Sequence, residues 1–177
     1  KYNTLMKRIY VLLLSLIFLS CSEDDGLNKS SNISIDGRTI YVAGLVSDGI
    51  NETACYWVNG RKYDLEGGSE ATGIVVKDGK IYISGYDVGG SAVYWVDNEK
   101  FELPGNGGEA HSIAVHDGDI YVAGGSANGS CYWKNGQKIN LTTNADSQTY
   151  GVNVNQSGDV FVGGYYMNNH HSLIPSF

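Results

Sequence analysis

Three polar side chains recur at one position of a repeated pattern, Glu70, Glu109 and Gln148. Successive members are 39 residues apart, and each lies four positions before an apolar Ile or Val. Carboxylates and amides supply the hydrogen-bond acceptors and donors that hold a polar ligand. We expect all three in the connection that leads into the first strand of a repeated unit, where equal spacing would bring them to one face. The same side chains could simply be solvated there. We interpret them as a possible ligand face.

Cys55 and Cys131 are the thiols of the repeated region. They hold the same repeat position, and the unit between them has Val93 there. Equivalent positions in non-adjacent units should lie beyond the ~4.4–6.8 Å Cα separation that a disulfide allows. Valine at the intervening position indicates a small apolar environment. We therefore predict two buried free thiols.

Metal binding and catalysis have little support in the sequence. Adjacent residues His170 and His171 would point to opposite faces of a strand, and we interpret them as a solvated tail. His111 and His116 are isolated, and Asp-Gly-Asp at 117–119 lacks the other ligands of a calcium loop. No Gly-x-Ser-x-Gly elbow, phosphate loop or His-Glu-x-x-His motif occurs. We predict no catalytic residue, no metal site and no cofactor.

A leader precedes the repeats. Its apolar run at 9–19 follows Lys7 and Arg8, and it has the ~7–15-residue length of a signal-peptide core rather than the ~20 residues of a membrane-spanning helix. The run ends in Phe18-Leu19-Ser20-Cys21, which resembles a bacterial lipobox, although Phe18 stands where Leu is commoner. The resemblance implies that Cys21 is the lipidated first residue, because its thiol carries the diacylglycerol. The alternative is an ordinary secretory signal with a chance cysteine.

We assign residues 1–20 to a lipoprotein signal peptide with its natural start at Met6, and residues 21–31 to an acidic and polar linker. Ser22-Glu23-Asp24-Asp25 resembles the acidic tag that sends some Gram-negative lipoproteins to the outer face of the outer membrane. A solvated linker would explain these residues equally well. We expect an outer-membrane lipoprotein of the cell envelope, with the periplasmic or surface side left open.

Charge limits the partners. The chain has 12 basic and 19 acidic residues, a net charge of −7. Removal of residues 1–20 takes away Lys1, Lys7 and Arg8 but no acid, which makes the net charge −10. Nucleic acid and anionic lipid headgroups are not expected partners, because no basic stripe is present. We expect a monomer that contacts the membrane through its lipid on Cys21 and binds an unknown protein or glycan.

The rest of the chain repeats with a period of about 40 residues. An aromatic residue recurs at 41, 82, 121 and 161, and tryptophan recurs at 57, 95 and 133. Asp78-Gly79 and Asn59-Gly60, with their repeats, supply the positive-φ residues of tight hairpin turns. These patterns predict four short strands per unit, which in the second unit span 73–76, 80–85, 92–96 and 100–103.

Four antiparallel strands in ~40 residues are typical of a propeller blade. We predict an all-β chain in which residues 32–177 form a β-propeller-like array of four-stranded antiparallel blades. Three complete blades would span 33–65, 72–103 and 111–141, and a truncated fourth would span 149–177, with its pattern lost after Tyr166. The Tyr-Trp pairs should fill the gaps between blades. A truncation or frameshift would explain the incomplete fourth blade, and the chain would then be part of a longer parent.

The units resemble extracellular HAF-type repeats over about residues 33–166. The resemblance rests on an aromatic-Trp-x-x-Gly strand (Tyr132 to Gly136), a later Leu141, a Ser-x-Ala-x-x-Ile turn (Ser69 to Ile74, and less closely 147–152) and a Gly-x-Val-x-Val-Gly strand (158–163). It implies a propeller-like secreted repeat protein. The family brings no established catalytic residues.

These features predict a cell-envelope lipoprotein that presents a non-enzymatic propeller as a binding or interaction module. The variable loops at 46–53, 87–91 and 126–130 should open on the same face as Glu70, Glu109 and Gln148, as expected for functional loops on a rigid scaffold. One alternative is a fragment of a secreted, carbohydrate-active propeller hydrolase whose catalytic blades are missing. Another is a pseudogene fragment that folds poorly.

Overall fold

The computed structural model describes residues 36–105, 107–142 and 146–167, and the backbone of 173–176. Strands and turns account for the regular structure of these residues, which contain no helix, and every paired strand is antiparallel. The strands are β1 Tyr41–Ser47, β2 Glu52–Val58, β3 Arg61–Asp64, β4 Gly68–Lys77, β5 Lys80–Asp87, β6 Ala92–Val96, β7 Glu99–Glu102, β8 Gly108–His116, β9 Asp119–Ser126, β10 Gly129–Lys134, β11 Gln137–Asn140, β12 Ser147–Val154, β13 Val160–Met167 and β14 Leu173–Ser176. The predicted all-β class is confirmed.

The strands form four sheets in chain order, which we call units 1 to 4: β1–β3, β4–β7, β8–β11 and β12–β14. Each strand pairs with its neighbours in the chain, so that every unit is a meander. Units 2 and 3 have the four predicted strands. Unit 1 shows three strands among the described residues, which begin at Asp36, whereas the predicted blade begins at 33.

Unit 4 differs from its prediction. The repeat pattern was expected to be lost after Tyr166, but β14 continues the sheet by pairing with β13, with Pro175 opposite Tyr165. Backbone pairing does not require the side-chain pattern that marks this strand in the other units, which is why the sequence did not reveal it. His170 and His171 lie outside the described residues.

The turn residues also tie strands together within a unit. Asp78-Gly79 and Asn135-Gly136 have positive φ at both positions, as predicted for tight hairpins. In units 1 to 3, an Asn or Asp side chain in the turn between the last two strands (β2–β3, β6–β7 and β10–β11) accepts a hydrogen bond from a backbone N–H at the start of the strand before them (β1, β5 and β9). The three distances are each 2.9 Å, for Asn59 to Ile40, Asp97 to Ile81 and Asn135 to Ile120. A side-chain acceptor is therefore used at this turn position in units 1 to 3.

Two apolar cores lie between consecutive units. Tyr56 and Leu65 of unit 1 pack with Trp95 and Ile83 of unit 2. Their repeat equivalents in units 2 and 3 form the next core, Tyr94 and Leu103 with Trp133 and Val122. Each complete unit therefore presents its tyrosine face to the following unit and its tryptophan face to the preceding one. Tyr56, Tyr94, Trp95 and Trp133 thus lie between units as predicted, whereas Trp57 and Tyr132 are only partly buried and belong to neither core.

The two cysteines of the repeats belong to the buried interior. Cys55 and Cys131 are both free and fully buried, which confirms their predicted state. Burial raises the pKa of the Cys131 thiol to about 11 and also raises that of Cys55. A thiol held in its neutral form is a poor nucleophile, so these side chains act as small apolar groups.

The first strand of each complete unit begins earlier than predicted. β4 starts at Gly68 rather than at 73, and its pairing with β5 is interrupted between Gly68 and Glu70 and again between Ala71 and Gly73. An extra residue at a bulge breaks the two-residue alternation of a strand, so the sequence pattern concealed this segment. The concealed segments contain Glu70, Glu109 and Gln148.

Candidate functional site

The three predicted ligand-face residues lie on the first strands of three consecutive units. Glu70 is on β4, Glu109 on β8 and Gln148 on β12. Strand β8 packs against both β4 and β12. The residues therefore lie on neighbouring strands, at the early end of each strand, and not in the preceding connections where the sequence placed them.

A repeated glycine allows this arrangement. Gly85, Gly124 and Gly164 each lie on the second strand of a unit, where an added Cβ would overlap the backbone carbonyl oxygen of Glu70, Glu109 and Gln148, respectively. The carbonyl is backbone and cannot swing aside, so any side chain at these positions would push the two strands apart. Absence of a Cβ therefore lets the first strand of each unit lie close to the second at the site residues.

Glu109 and Gln148 are in direct contact. The side-chain amide of Gln148 donates a hydrogen bond to Glu109 Oε2 at 3.1 Å. Glu70 lies opposite Tyr86 in the β4–β5 register, and both Glu70 and Glu109 act electrostatically on the Tyr86 phenol. The three residues that the sequence grouped therefore lie in the same region of the structure.

His111 corrects the sequence interpretation, which treated it as isolated. Its Nε2 lies 3.3 Å from Glu109 Oε2, and its side chain is 15% exposed. This buried nitrogen has no hydrogen-bond partner in the described part of the chain. The ring contacts Tyr150 at 5.0 Å and Tyr86 edge-on at 6.3 Å between centroids. His111 is therefore a central member of this site.

Tyrosines surround the polar groups. Tyr150 and Tyr165 stack with ring centroids 5.9 Å apart, and Tyr150 is 55% exposed. Burial, with added repulsion from Glu70, Glu109 and Tyr150, raises the pKa of Tyr86 to about 12. We call Glu70, Tyr86, Glu109, His111, Gln148, Tyr150 and Tyr165 the carboxylate–tyrosine cluster. Its electrostatic character is negative, because carboxylates lie beside the faces and edges of electron-rich rings.

The cluster contains buried acceptor capacity that protein groups do not use. Gln148 Oε1 is buried and has no hydrogen-bond partner among the described residues, and the same holds for His111 Nε2. Buried polar atoms in folded proteins are nearly always paired with protein, water or ligand. Gln148 Oε1 is an amide oxygen and can only accept a hydrogen bond, whereas His111 Nε2 lies beside a carboxylate and can donate one when it carries the ring proton. The unused acceptor of the cluster is therefore Gln148 Oε1.

Four cluster residues were missed by sequence reasoning: Tyr86, His111, Tyr150 and Tyr165. A signal was present in the repeat register, where Thr72, His111 and Tyr150 are equivalent and lie 39 residues apart. This position changes its side chain, whereas the position two residues later stays apolar as Ile74, Ile113 and Val152. Variable positions within a constant frame are where a repeat scaffold can carry function.

Loops at the same end of unit 2 support this region. Ser69 Oγ donates to the Asp87 carbonyl oxygen at 3.1 Å, and Asp87 Oδ1 accepts hydrogen bonds from the backbone N–H groups of Gly89 and Ser91. The β5–β6 connection is therefore tied to the start of β4, beside Glu70. The turn is shorter than the predicted loop, because β5 extends through Asp87.

A separate cleft of about 560 Å³ lies between units 3 and 4. Its lining includes Tyr132 and Leu141 from unit 3 and Thr149 and Val162 from unit 4. These positions are equivalent to Tyr94, Leu103, Ala110 and Val122, which pack around Trp133 in the preceding core. The cleft therefore belongs to the packing between units.

Across the described ranges, no group of three or more His, Cys, Asp or Glu side chains is arranged to hold a metal ion. The same ranges contain no helix suited by length and apolarity to crossing a membrane. Cys21 lies outside them. No protein-family model and no curated protein matches this chain.

Proposed function

We propose that this chain is a lipid-anchored outer-membrane protein of the cell envelope, and that its repeats form a non-enzymatic β-propeller-type binding module. Two features support the propeller arrangement. The tyrosine face of one unit packs on the tryptophan face of the next, and the first strands β4, β8 and β12 are neighbours, as the innermost strands of successive blades would be.

The carboxylate–tyrosine cluster carries the binding proposal. Glu70, Tyr86, Glu109 and His111 project from strands of units 2 and 3, which pack together through the buried core that contains Trp133, so this part of the site is preorganised. Tyr150 and Glu109 each remain about half exposed, at 55%, and are accessible to a ligand. A rigid base with accessible aromatic and polar groups binds a ligand without a large ordering cost.

Binding is favoured over the hydrolase considered above. Most glycoside hydrolases place two carboxyl groups on either side of the bond that is cleaved. In the cluster, Glu109 instead contacts the amide of Gln148 and the ring of His111. These contacts suit recognition of a ligand, and we propose no bond cleavage.

The binding proposal is tested with the full chain in detergent, carrying 13C-labelled tyrosine and histidine rings. The probes are a capped lysine, a capped arginine, a neutral oligosaccharide and an acidic peptide, and the readout is the ring NMR spectrum. We expect at least one probe to shift the Tyr150, Tyr165 and His111 signals, and Tyr150→Ala to weaken that response at least tenfold. Absence of any response at the cluster would overturn the proposal.

The anchor is tested separately in a bacterial host with a lipid label. We expect the full chain to take up the label and to sediment with membranes, and Cys21→Ala to lose both properties, because the thiol is the point of attachment. Cys131→Ala is the matched control and should keep the label. An unlabelled chain that stays in the membrane fraction would refute lipidation.

A further inference from the structure

We propose that the carboxylate–tyrosine cluster binds a primary ammonium or guanidinium group, as in a lysine or arginine side chain of a partner. This inference rests on the proposed binding function and specifies the chemistry of the ligand. Three independent properties of the cluster support it: an unused acceptor, carboxylates without a lysine or arginine partner, and aromatic faces.

The acceptor comes first. Gln148 donates to Glu109 through its amide nitrogen, and its carbonyl oxygen can only accept a hydrogen bond. That oxygen is buried without a partner in the part of the chain that the structure describes. A buried acceptor without a donor costs about 1–3 kcal/mol. An ammonium or guanidinium group has donors and no acceptors, so it matches this need.

The carboxylates are the second property. Some acids elsewhere pair with lysine: Asp64 lies 3.0 Å from Lys62, and Asp119 lies 2.7 Å from Lys134. Within the described ranges, neither Glu70 nor Glu109 has a lysine or arginine within ion-pair distance, and the one charge contact of Glu109 is with His111. The cluster therefore holds two carboxylates without a fixed cation. The net charge of −7 adds a general attraction for a positive ligand.

The aromatic rings are the third property. Tyr86, Tyr150 and Tyr165 lie within the same cluster as the carboxylates, in contact with His111 or with each other. The face of a tyrosine ring attracts a cation through its quadrupole, with about 0.5–2 kcal/mol per contact. An anion would be repelled by Glu70 and Glu109. A neutral sugar could stack on Tyr150 but would leave both carboxylates uncompensated.

The test uses a matched pair of probes that differ in one charge. Nα-acetyl-lysine methylamide carries the ammonium group, and its Nε-acetylated form has the same backbone without that charge. The full chain in detergent is titrated with each by calorimetry and by tyrosine and histidine ring NMR. We expect the charged probe to shift the Tyr150, Tyr165 and His111 signals, the acetylated probe to bind at least tenfold more weakly, and added salt to weaken the charged complex.

Variants locate the site. We expect Glu109→Gln to weaken binding of the charged lysine probe at least tenfold, because it removes one carboxylate and keeps the shape of the side chain. Glu99→Gln changes the same charge on an exposed residue of β7 and should leave the affinity unchanged. Unaltered thermal unfolding of Glu109→Gln would show that the loss comes from the ligand contact and not from the fold.

The outcomes separate this inference from the proposed function. If the acetylated lysine or a neutral oligosaccharide shifts the same rings as strongly as the charged probe, the cation assignment is wrong and the binding function stands. The same conclusion follows if Glu109→Gln and Glu99→Gln behave alike while the cluster still responds. If no probe shifts the cluster, both proposals fail.

Discussion

Replacement of Trp95 by alanine tests the central packing claim of this structure. Trp95 is fully buried and packs with Tyr56, Leu65 and Ala54 of the preceding unit. Its removal would leave a cavity between units 1 and 2 that neighbouring strands cannot close, because both sheets are held by their own hydrogen bonds. Truncation of a buried tryptophan costs about 3–5 kcal/mol. This is a large part of the 5–15 kcal/mol that stabilises a typical domain.

Trp57 provides the matched control. It holds the same repeat position in unit 1, but its side chain is only partly buried, and the neighbouring Val42 is 48% exposed. Because folding removes less apolar surface from water at this position, we expect Trp57→Ala to lower the free energy of unfolding by at most about half as much as Trp95→Ala. The comparison separates packing between units from any intrinsic effect of tryptophan on the strand.

Phenylalanine variants refine the same test. Trp133 Nε1 donates a hydrogen bond to the Pro104 carbonyl oxygen at 2.9 Å, whereas Trp95 Nε1 is buried without a partner among the described residues. Trp133→Phe loses a hydrogen bond, and Trp95→Phe removes an unpaired donor. We therefore expect Trp133→Phe to be the more destabilising of the two by about 1 kcal/mol.

The assay is urea unfolding of the full chain followed by far-UV circular dichroism, which does not depend on the deleted fluorophores. If Trp95→Ala fails to fold, the two phenylalanine variants still report on the packing. A cost below about 1 kcal/mol for Trp95→Ala, or a cost equal to that of Trp57→Ala, would refute the assignment of Trp95 to a core between units.

Three further predictions concern the strands, the thiols and the tyrosine of the site. Gly124→Ala should destabilise the fold by more than about 1 kcal/mol, because the new Cβ would overlap the Glu109 carbonyl oxygen. Gly118→Ala is the comparison in urea unfolding: nothing lies near its Cβ, so its stability should fall only by the smaller backbone strain of alanine at a positive φ. Cys131 should not react with a thiol reagent at pH 8 in the folded state, since its pKa is about 11, and should react once urea unfolds the chain; rapid labelling of the native protein would contradict its burial. The pKa of Tyr86 is raised from its ordinary 10 to about 12 in the folded chain. The free energy of unfolding should therefore fall as pH rises from about 10 to 12, because in this range only the unfolded chain has lost the phenol proton. Tyr86→Phe should flatten this decline, and a pH profile that the substitution leaves unchanged would contradict the raised pKa.

Much of the fold was predictable because the repeat makes local signals reinforce one another. The Asp-Gly and Asn-Gly pairs identify hairpins by their need for positive φ, and the structure has them there. The Tyr-Trp pairs identify the faces between units by their size and apolarity. The early starts of β4, β8 and β12 were not predictable, because bulges break the alternation on which strand recognition depends.

The candidate site was predictable in part, for a related reason. Equal spacing alone predicted that Glu70, Glu109 and Gln148 share one face, but it placed them in the connections before the first strands and not on the strands themselves. His111 and Tyr165 belong to the same cluster but lie on different strands and share no motif with the acids. Their association depends on which strands are neighbours and on which face each side chain takes, and a bulge shifts that face by one residue.

The sequence by itself determined the all-β class, the four-unit periodicity, the hairpin turns and the buried free state of Cys55 and Cys131. These properties follow from local backbone preferences and from residue size, and the same signals recur in successive repeats. Only the tertiary structure decided that β14 continues unit 4, that His111 lies against Glu109, and that Gln148 Oε1 is left as a buried acceptor. Those features arise from contacts between strands far apart in the chain, where packing and bulge geometry set the partners and no local pattern records them.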